Sequence, residues 1–199
     1  MPEMIRILCE GLATVLFALI CTRFLCKTMK KRDFRFVPWL PYVLTGCGSA
    51  MLFLLGGLSP WTFRGIAFLF VLLYASIQDY TSHEADDILS VMVLMLAVTN
   101  ISEATVLSQL LSAASVCGAQ MLIALCGKKR MGIGGADIKL STATALLLGF
   151  YKGVIGFMLG LLIAVVAQLI ITHRKKEQRT QPFALLPYLS VGFIIGYLI

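Results

Sequence analysis

The chain has 199 residues, 59% of them hydrophobic and 14% charged, with a formal net charge of +7. A soluble domain carries about 25% charged residues, so this composition excludes an ordinary water-soluble globule. The positive charges sit in short clusters between long apolar blocks, which is the pattern of loops flanking membrane spans and speaks against a nucleic-acid partner.

Taken in order, the apolar blocks fall near residues 7–26, 37–58, 61–78, 88–101, 105–126, 138–151, 153–172 and 183–199. They lack a sustained polar face, so each is expected to be a helix that is apolar all round. The expected fold is all-α: a polytopic helix bundle in the lipid bilayer with about eight transmembrane helices, in a range of six to eight. The opening residues Met1–Arg6 lead straight into the first block without an Ala-x-Ala-like cleavage site. That block is expected to be a retained span rather than a signal peptide. Residues 1–60 form an N-terminal part with a basic loop, and residues 61–199 a core within the same membrane domain. Six cysteines (Cys9, Cys21, Cys26, Cys47, Cys117, Cys126) are scattered, mostly in predicted spans, with no Cys-x-x-Cys. They read as small hydrophobes, with neither a metal site nor a disulfide framework, and no cofactor is expected.

Alternate connections share one side of the membrane. That side receives Lys27, Lys30, Lys31, Arg32, Arg35, Lys128, Lys129, Arg130, Lys139, Arg174, Lys175, Lys176 and Arg179, thirteen of the seventeen basic residues. The positive-inside rule makes it cytoplasmic and puts both termini outside. The blocks at 88–101 and 138–151 have only 14 residues each. Each reaches about 21 Å, short of the roughly 30 Å hydrocarbon layer. Their cytoplasmic ends are expected to lie below the membrane surface, beside a water-filled recess that tolerates irregular backbone.

Both short blocks follow an aspartate. Asp79 ends the run Leu72-Leu73-Tyr74-Ala75-Ser76-Ile77-Gln78, and Asp137 follows the glycine-dense turn Met131-Gly132-Ile133-Gly134-Gly135-Ala136. A charged group near hydrocarbon costs roughly 2.5–3.5 kcal/mol on insertion scales, so two at one depth point to a shared task. Singly, Asp137 reads as a helix cap and Asp79 as an acid touching water. Asp86 and Asp87 read as N-cap residues of the fourth span, and His83 and Glu84 as solvated loop residues. Paired carboxylates can share one proton, so that one draws a proton from water while the other polarises a peptide carbonyl.

At these residues the chain resembles the type IV prepilin peptidases, GxGD-type intramembrane aspartyl proteases. The likeness is carried by Ala75-Ser76-Ile77-Gln78-Asp79, by Gly134-Gly135-Ala136-Asp137-Ile138-Lys139-Leu140 after an intervening 57 residues, and by the tail Gln181-Pro182-Phe183-Ala184-Leu185-Leu186-Pro187-Tyr188-Leu189. It covers roughly residues 61–199. It implies Asp79 and Asp137 as the catalytic dyad, with Gly134, Gly135 and Ala136 shaping the turn that substrate backbone approaches and Lys139 supporting that turn. It also implies prepilin-like or pseudopilin-like substrates and a place in the bacterial cytoplasmic membrane. Ala136 stands where the family has glycine, and alanine is harmless there if the position takes ordinary helical or extended angles. The frequent Ile-Pro after the first aspartate is absent, the sequence there reading Ala85-Asp86-Asp87. The chain resembles the short form without a zinc-ribbon insert, and N-methylation is not expected of it. A non-catalytic scaffold of a pilus or secretion system and an ion-coupled transporter are the alternatives.

Glu84, Asp86 and Asp87 make the loop after Asp79 acidic, so they are expected to attract a basic leader peptide. Asp86→Asn with Asp87→Asn should then slow leader processing more at low than at high salt; a loss independent of salt would remove the steering role.

Overall fold

Long apolar stretches propagate as helices once nucleated, and each of the eight blocks does so here, with Pro41 and Pro187 confined to the first turns of their helices. The computed structural model describes residues 2–32, 34, 37–83, 85–101, 103–126, 134–174 and 184–199. Among them it contains the helices α1 (Pro2–Lys31), α2 (Leu40–Gly56), α3 (Pro60–Ser82), α4 (Asp87–Val98), α5 (Glu103–Cys126), α6 (Gly135–Leu148), α7 (Phe150–Arg174) and α8 (Leu186–Leu198). No strand occurs among the described residues.

Four stretches are long and apolar enough to cross a bilayer: Arg6–Lys31, Pro60–Ser82, Thr105–Leu125 and Phe150–His173. The eight expected segments are thus eight helices, of which four have full spanning length. The short fourth and sixth segments stay short, at 12 residues for α4 and 14 for α6. At about 1.5 Å per residue these are roughly 18 and 21 Å long. The outer surface is apolar: Leu54, Leu125 and Leu162 are 81%, 80% and 62% exposed. In a membrane protein this is the face turned to lipid tails.

Several boundaries differ from the sequence reading; α1 runs on from the expected end at residue 26 to Lys31, and three others bear on the site end or the turns. The third helix runs past Gln78 to Ser82 and ends where His83 adopts φ 54°, its N–H bonding the Asp79 carbonyl at 2.9 Å. Asp79 therefore sits inside the last helical turn and not in a loop. Polar residues do not stop the helix there, because the Thr81 and Ser82 hydroxyls bond back to the carbonyls of Ile77 and Gln78. The break between the sixth and seventh helices comes at Gly149, whose φ of 80° turns the chain. The last helix starts at Leu186, with Pro187 in its first turn, where a missing N–H costs nothing.

The core joins α3, α4, α5, α6, α7 and α8 through Phe68, Val93, Val116, Leu140, Phe157 and Phe193. The first two helices pack on each other and on α3, with the buried hydroxyls of Thr22 and Thr45 2.7 Å apart across the α1–α2 contact. Short connections make successive helices antiparallel. The ends of α1, α3, α5 and α7 and the starts of α2, α4, α6 and α8 consequently share one end of the bundle.

The tightest crossing, α7 on α8, depends on glycine. A Cβ on Gly192 would lie 2.3 Å from both Gly156 O and Gly160 N. Small residues permit this backbone approach, which is how helices pack without a hydrophobic driving force between them. Gly192→Ala should lower stability by about 1–3 kcal/mol through overpacking. Gly118→Ala, whose Cβ meets nothing within 4 Å, should not. Unfolding of both variants in detergent checks the contrast.

Candidate active site

The shared end of the bundle gathers the residues singled out in the sequence. Asp79 is only 5% exposed. Its Oδ2 accepts the Leu186 backbone N–H at 2.9 Å, 107 positions further along the chain, and the Leu185 N–H also faces the carboxyl. The first N–H groups of a helix have no partner within that helix and carry its positive end. A carboxylate from α3 thus closes the start of α8. One turn earlier the Ser76 and Ser190 hydroxyls lie 2.8 Å apart, tying the same two helices again.

Asp137 is half-buried in the first turn of α6. The N-cap of that helix is Gly134, with φ −61° and ψ 141°. The cap reading of Asp137 is therefore corrected by position: it is the third helical residue, and its carboxyl reaches back to the Gly134 N–H. This is the reciprocal half of a capping box, in which a third-position acid satisfies the N-cap amide. The carboxyl also lies within electrostatic range of Asp79. In sequence the two aspartates stand apart by 57 intervening residues.

The glycines of the turn play a different part from conformational freedom. The positive-φ glycines among the described residues are Gly57 and Gly149, not Gly134 or Gly135. Both turn glycines are exposed. A Cβ on Gly135 would meet nothing within 4 Å, and one on Gly134 only the Asp137 carboxyl, at 3.4 Å. What they supply is bare backbone beside the carboxyl. Ala136 lies within α6 and takes no positive φ, so alanine is unstrained in place of the family glycine, as expected. Met131, Gly132 and Ile133 lie outside the described residues, as do Glu84, the basic residues Arg35, Lys128, Lys129, Arg130, Lys175, Lys176 and Arg179, and Gln181, Pro182 and Phe183 of the tail.

The two acids of the following loop have partners the sequence did not disclose. Asp86 occupies the N-cap position of α4 but makes no side-chain cap. Its Oδ2 accepts from Arg32 Nη1 at 2.7 Å, and its N–H donates to Gln78 Oε1 at 3.3 Å. The Arg32 guanidinium, and after it the Gln78 amide, hold the Asp86 carboxyl below the usual carboxylate range. The capping role read for Asp86 is thus replaced by an ion pair, because the guanidinium at the end of α1 is a stronger donor than a backbone amide. Asp87 accepts from Lys139 Nζ at 2.7 Å. Lys139 therefore supports the aspartate turn by tying α6 to the start of α4. Both pairs are exposed, so they fix geometry more than they add stability.

Ser76 and Leu186 lie within the quoted segments, but no motif gives the contacts that Leu186, Ser76, Ser190 and Arg32 make. Their signals were the proline at the start of the last helix and the basic end of the first. No group of three or more His, Cys, Asp or Glu residues able to hold a metal occurs among the described residues.

A family model described as the type IV leader peptidase family matches residues 66–172, a stretch that includes Asp79 and the entire turn to Lys139. No curated protein and no solved structure gives a match.

Because Asp79 closes α8, its substitutions should separate by what they leave on the buried amide. Asp79→Asn keeps an acceptor for the Leu186 N–H and should fold normally. Asp79→Ala strands that donor and should cost about 1–3 kcal/mol. Thermal unfolding in detergent measures the difference.

Proposed function

The chain belongs to the type IV leader peptidase family, and we propose that it is a membrane-embedded aspartyl endopeptidase cleaving the basic leader of prepilin-like or pseudopilin-like substrates. The observation that carries this reading is a family match that spans both aspartates, in a fold where their carboxyls fall within electrostatic range. Peptide hydrolysis by such a pair needs no nucleophilic side chain. One carboxylate removes a proton from water, and the protonated partner donates a hydrogen bond to the scissile carbonyl as the water attacks.

The surroundings support this chemistry in named ways. Asp79 is anchored from α8, so its carboxyl is held in place before substrate arrives. Asp137 stands beside the uncovered backbone of Gly134 and Gly135, where an extended substrate segment can come close. Asp86 and Asp87 already hold Arg32 and Lys139. A basic leader would exchange with these internal cations rather than enter an unpaired acidic patch. The distribution of basic residues supports a site on the cytoplasmic side with both termini outside, in the bacterial cytoplasmic membrane that the family resemblance implies.

The cap that Asp79 places on α8 favours a second reading, a non-catalytic membrane scaffold in which the aspartates only hold helices. Ion-coupled transport fits less well, since relay carboxylates lie in mid-membrane and these two lie at helix ends. Asparagine separates the readings, because it replaces aspartate in a cap with little loss. Co-expressed with a prepilin-like substrate, Asp79→Asn and Asp137→Asn should insert and fold but leave the leader uncleaved. Full processing by both would falsify the protease reading.

A further inference from the structure

Midway into the α5–α6 interface lies a polar contact that the chemistry above does not use. Gln120 and Ser141 are both fully buried, and Ser141 Oγ is 2.8 Å from Gln120 Oε1. The same hydroxyl oxygen makes a short contact with the main-chain carbonyl oxygen of Asp137, one turn earlier in α6. Around them the interface is apolar, with Val116 and Leu140 at 1% and 2% exposure. Gln120 Nε2 is buried and has no hydrogen-bond partner among the described residues.

This arrangement contains a conflict in proton count. A serine hydroxyl has one proton, and here three carbonyl-type oxygens face it, those of Gln120, Asp137 and, at 3.4 Å, Ile138, while an amide NH2 with two protons faces none among the described residues. The two ends of a glutamine amide are nearly isosteric, so a half-turn of the amide resolves both faults. Nε2 then donates to Ser141 Oγ, and Ser141 is free to donate its single proton to the Asp137 carbonyl. The amide oxygen left toward the apolar side is the cheaper group to leave unpaired, since under-satisfied carbonyls are commoner than orphaned N–H groups.

We infer that Gln120 is a positioning residue for Asp137, acting through Ser141 in a relay that runs from Gln120 Nε2 to Ser141 Oγ and on to the Asp137 carbonyl. The relay matters because, among the described residues, the Asp137 side chain is otherwise held by its own turn, through the Gly134 N–H, on glycine backbone that is exposed there. Lys139 ties the next residues to α4 from the surface. The relay ties the peptide group of Asp137 itself to α5 from within the bundle, and so sets the direction of its Cα–Cβ bond toward Asp79. The inference rests on the proteolytic reading, which supplies the reason for fixing that direction.

The test uses the full-length protein in lipid nanodiscs and a reporter with a Lys- and Arg-containing leader followed by an apolar helix. Ser141→Ala and Gln120→Leu should each lower kcat roughly 10- to 100-fold, the loss typical of a slightly misplaced catalytic group, with KM little changed. Because both act through one relay, the double variant should be no slower than the slower single variant. Wild-type kcat in either single variant, or losses that multiply in the double, would overturn the proposal. Gln120→Glu, which preserves shape, covers the case in which Gln120→Leu does not fold. As the introduced carboxyl ionises it can only accept, so it takes the Ser141 proton from the Asp137 carbonyl. Activity should then fall on the alkaline limb relative to wild type, and that extra fall should vanish in the Ser141→Ala background. An unchanged pH profile, or a fall that persists without the hydroxyl, removes the relay. Asp79→Asn and Asp137→Asn run alongside. If they are inactive while the relay variants behave as wild type, the relay alone fails; if they cleave normally, the proteolytic reading fails and the relay with it.

Discussion

The bond from the Leu186 backbone amide to the Asp79 carboxylate is the constraint on which the site end of the molecule depends. Inside an apolar bundle neither group can be left without a partner, since each would carry the cost of its lost water. Each supplies what the other lacks: the start of α8 offers donors, and the end of α3 offers the acceptor. Satisfying both locks the C-terminal helix to the third helix at one level, and the Ser76–Ser190 contact one turn away fixes their rotation. The glycine-lined crossing of α7 and α8 then carries that placement through the rest of the bundle.

A second set of contacts fixes the other half of the site. Asp86 and Asp87 are neighbours in sequence but reach in different directions, to Arg32 at the end of α1 and to Lys139 in the first turn of α6. Ion pairs this exposed add little to stability, but two of them at one helix start define its position relative to both neighbours. The aspartate turn is thereby held at its surface by Lys139 and at its interior by the Ser141 contact. Between these ties Gly134 and Gly135 are exposed among the described residues.

The sequence was legible where physical chemistry is local. Eight apolar blocks became eight helices, and the two short ones stayed short, while α8 came out shorter than its block at 13 residues because its helix starts only at Leu186. Ala136 was readable as tolerable once its neighbours were seen to open a helix. Boundaries were less legible: α3 continues through Asp79 because hydroxyl groups and a buried carboxylate fit within a helix whose partners are out of sight in sequence. Asp86 read as a cap, since a helix start nearby is visible and a guanidinium 54 residues earlier is not.

By itself the sequence determined an all-α membrane bundle, the two candidate aspartates and the open glycine turn beside one of them, for these follow from composition, block length and a contiguous motif. Only the tertiary structure decided that Asp79 is buried against α8, that Lys139 serves Asp87, and that the carboxyls of Asp79 and Asp137 come within electrostatic range. Those facts depend on which helix ends meet across long stretches of chain. That is set by shape, glycine crossings and the pairing of buried polar groups, none of which is written in any one segment.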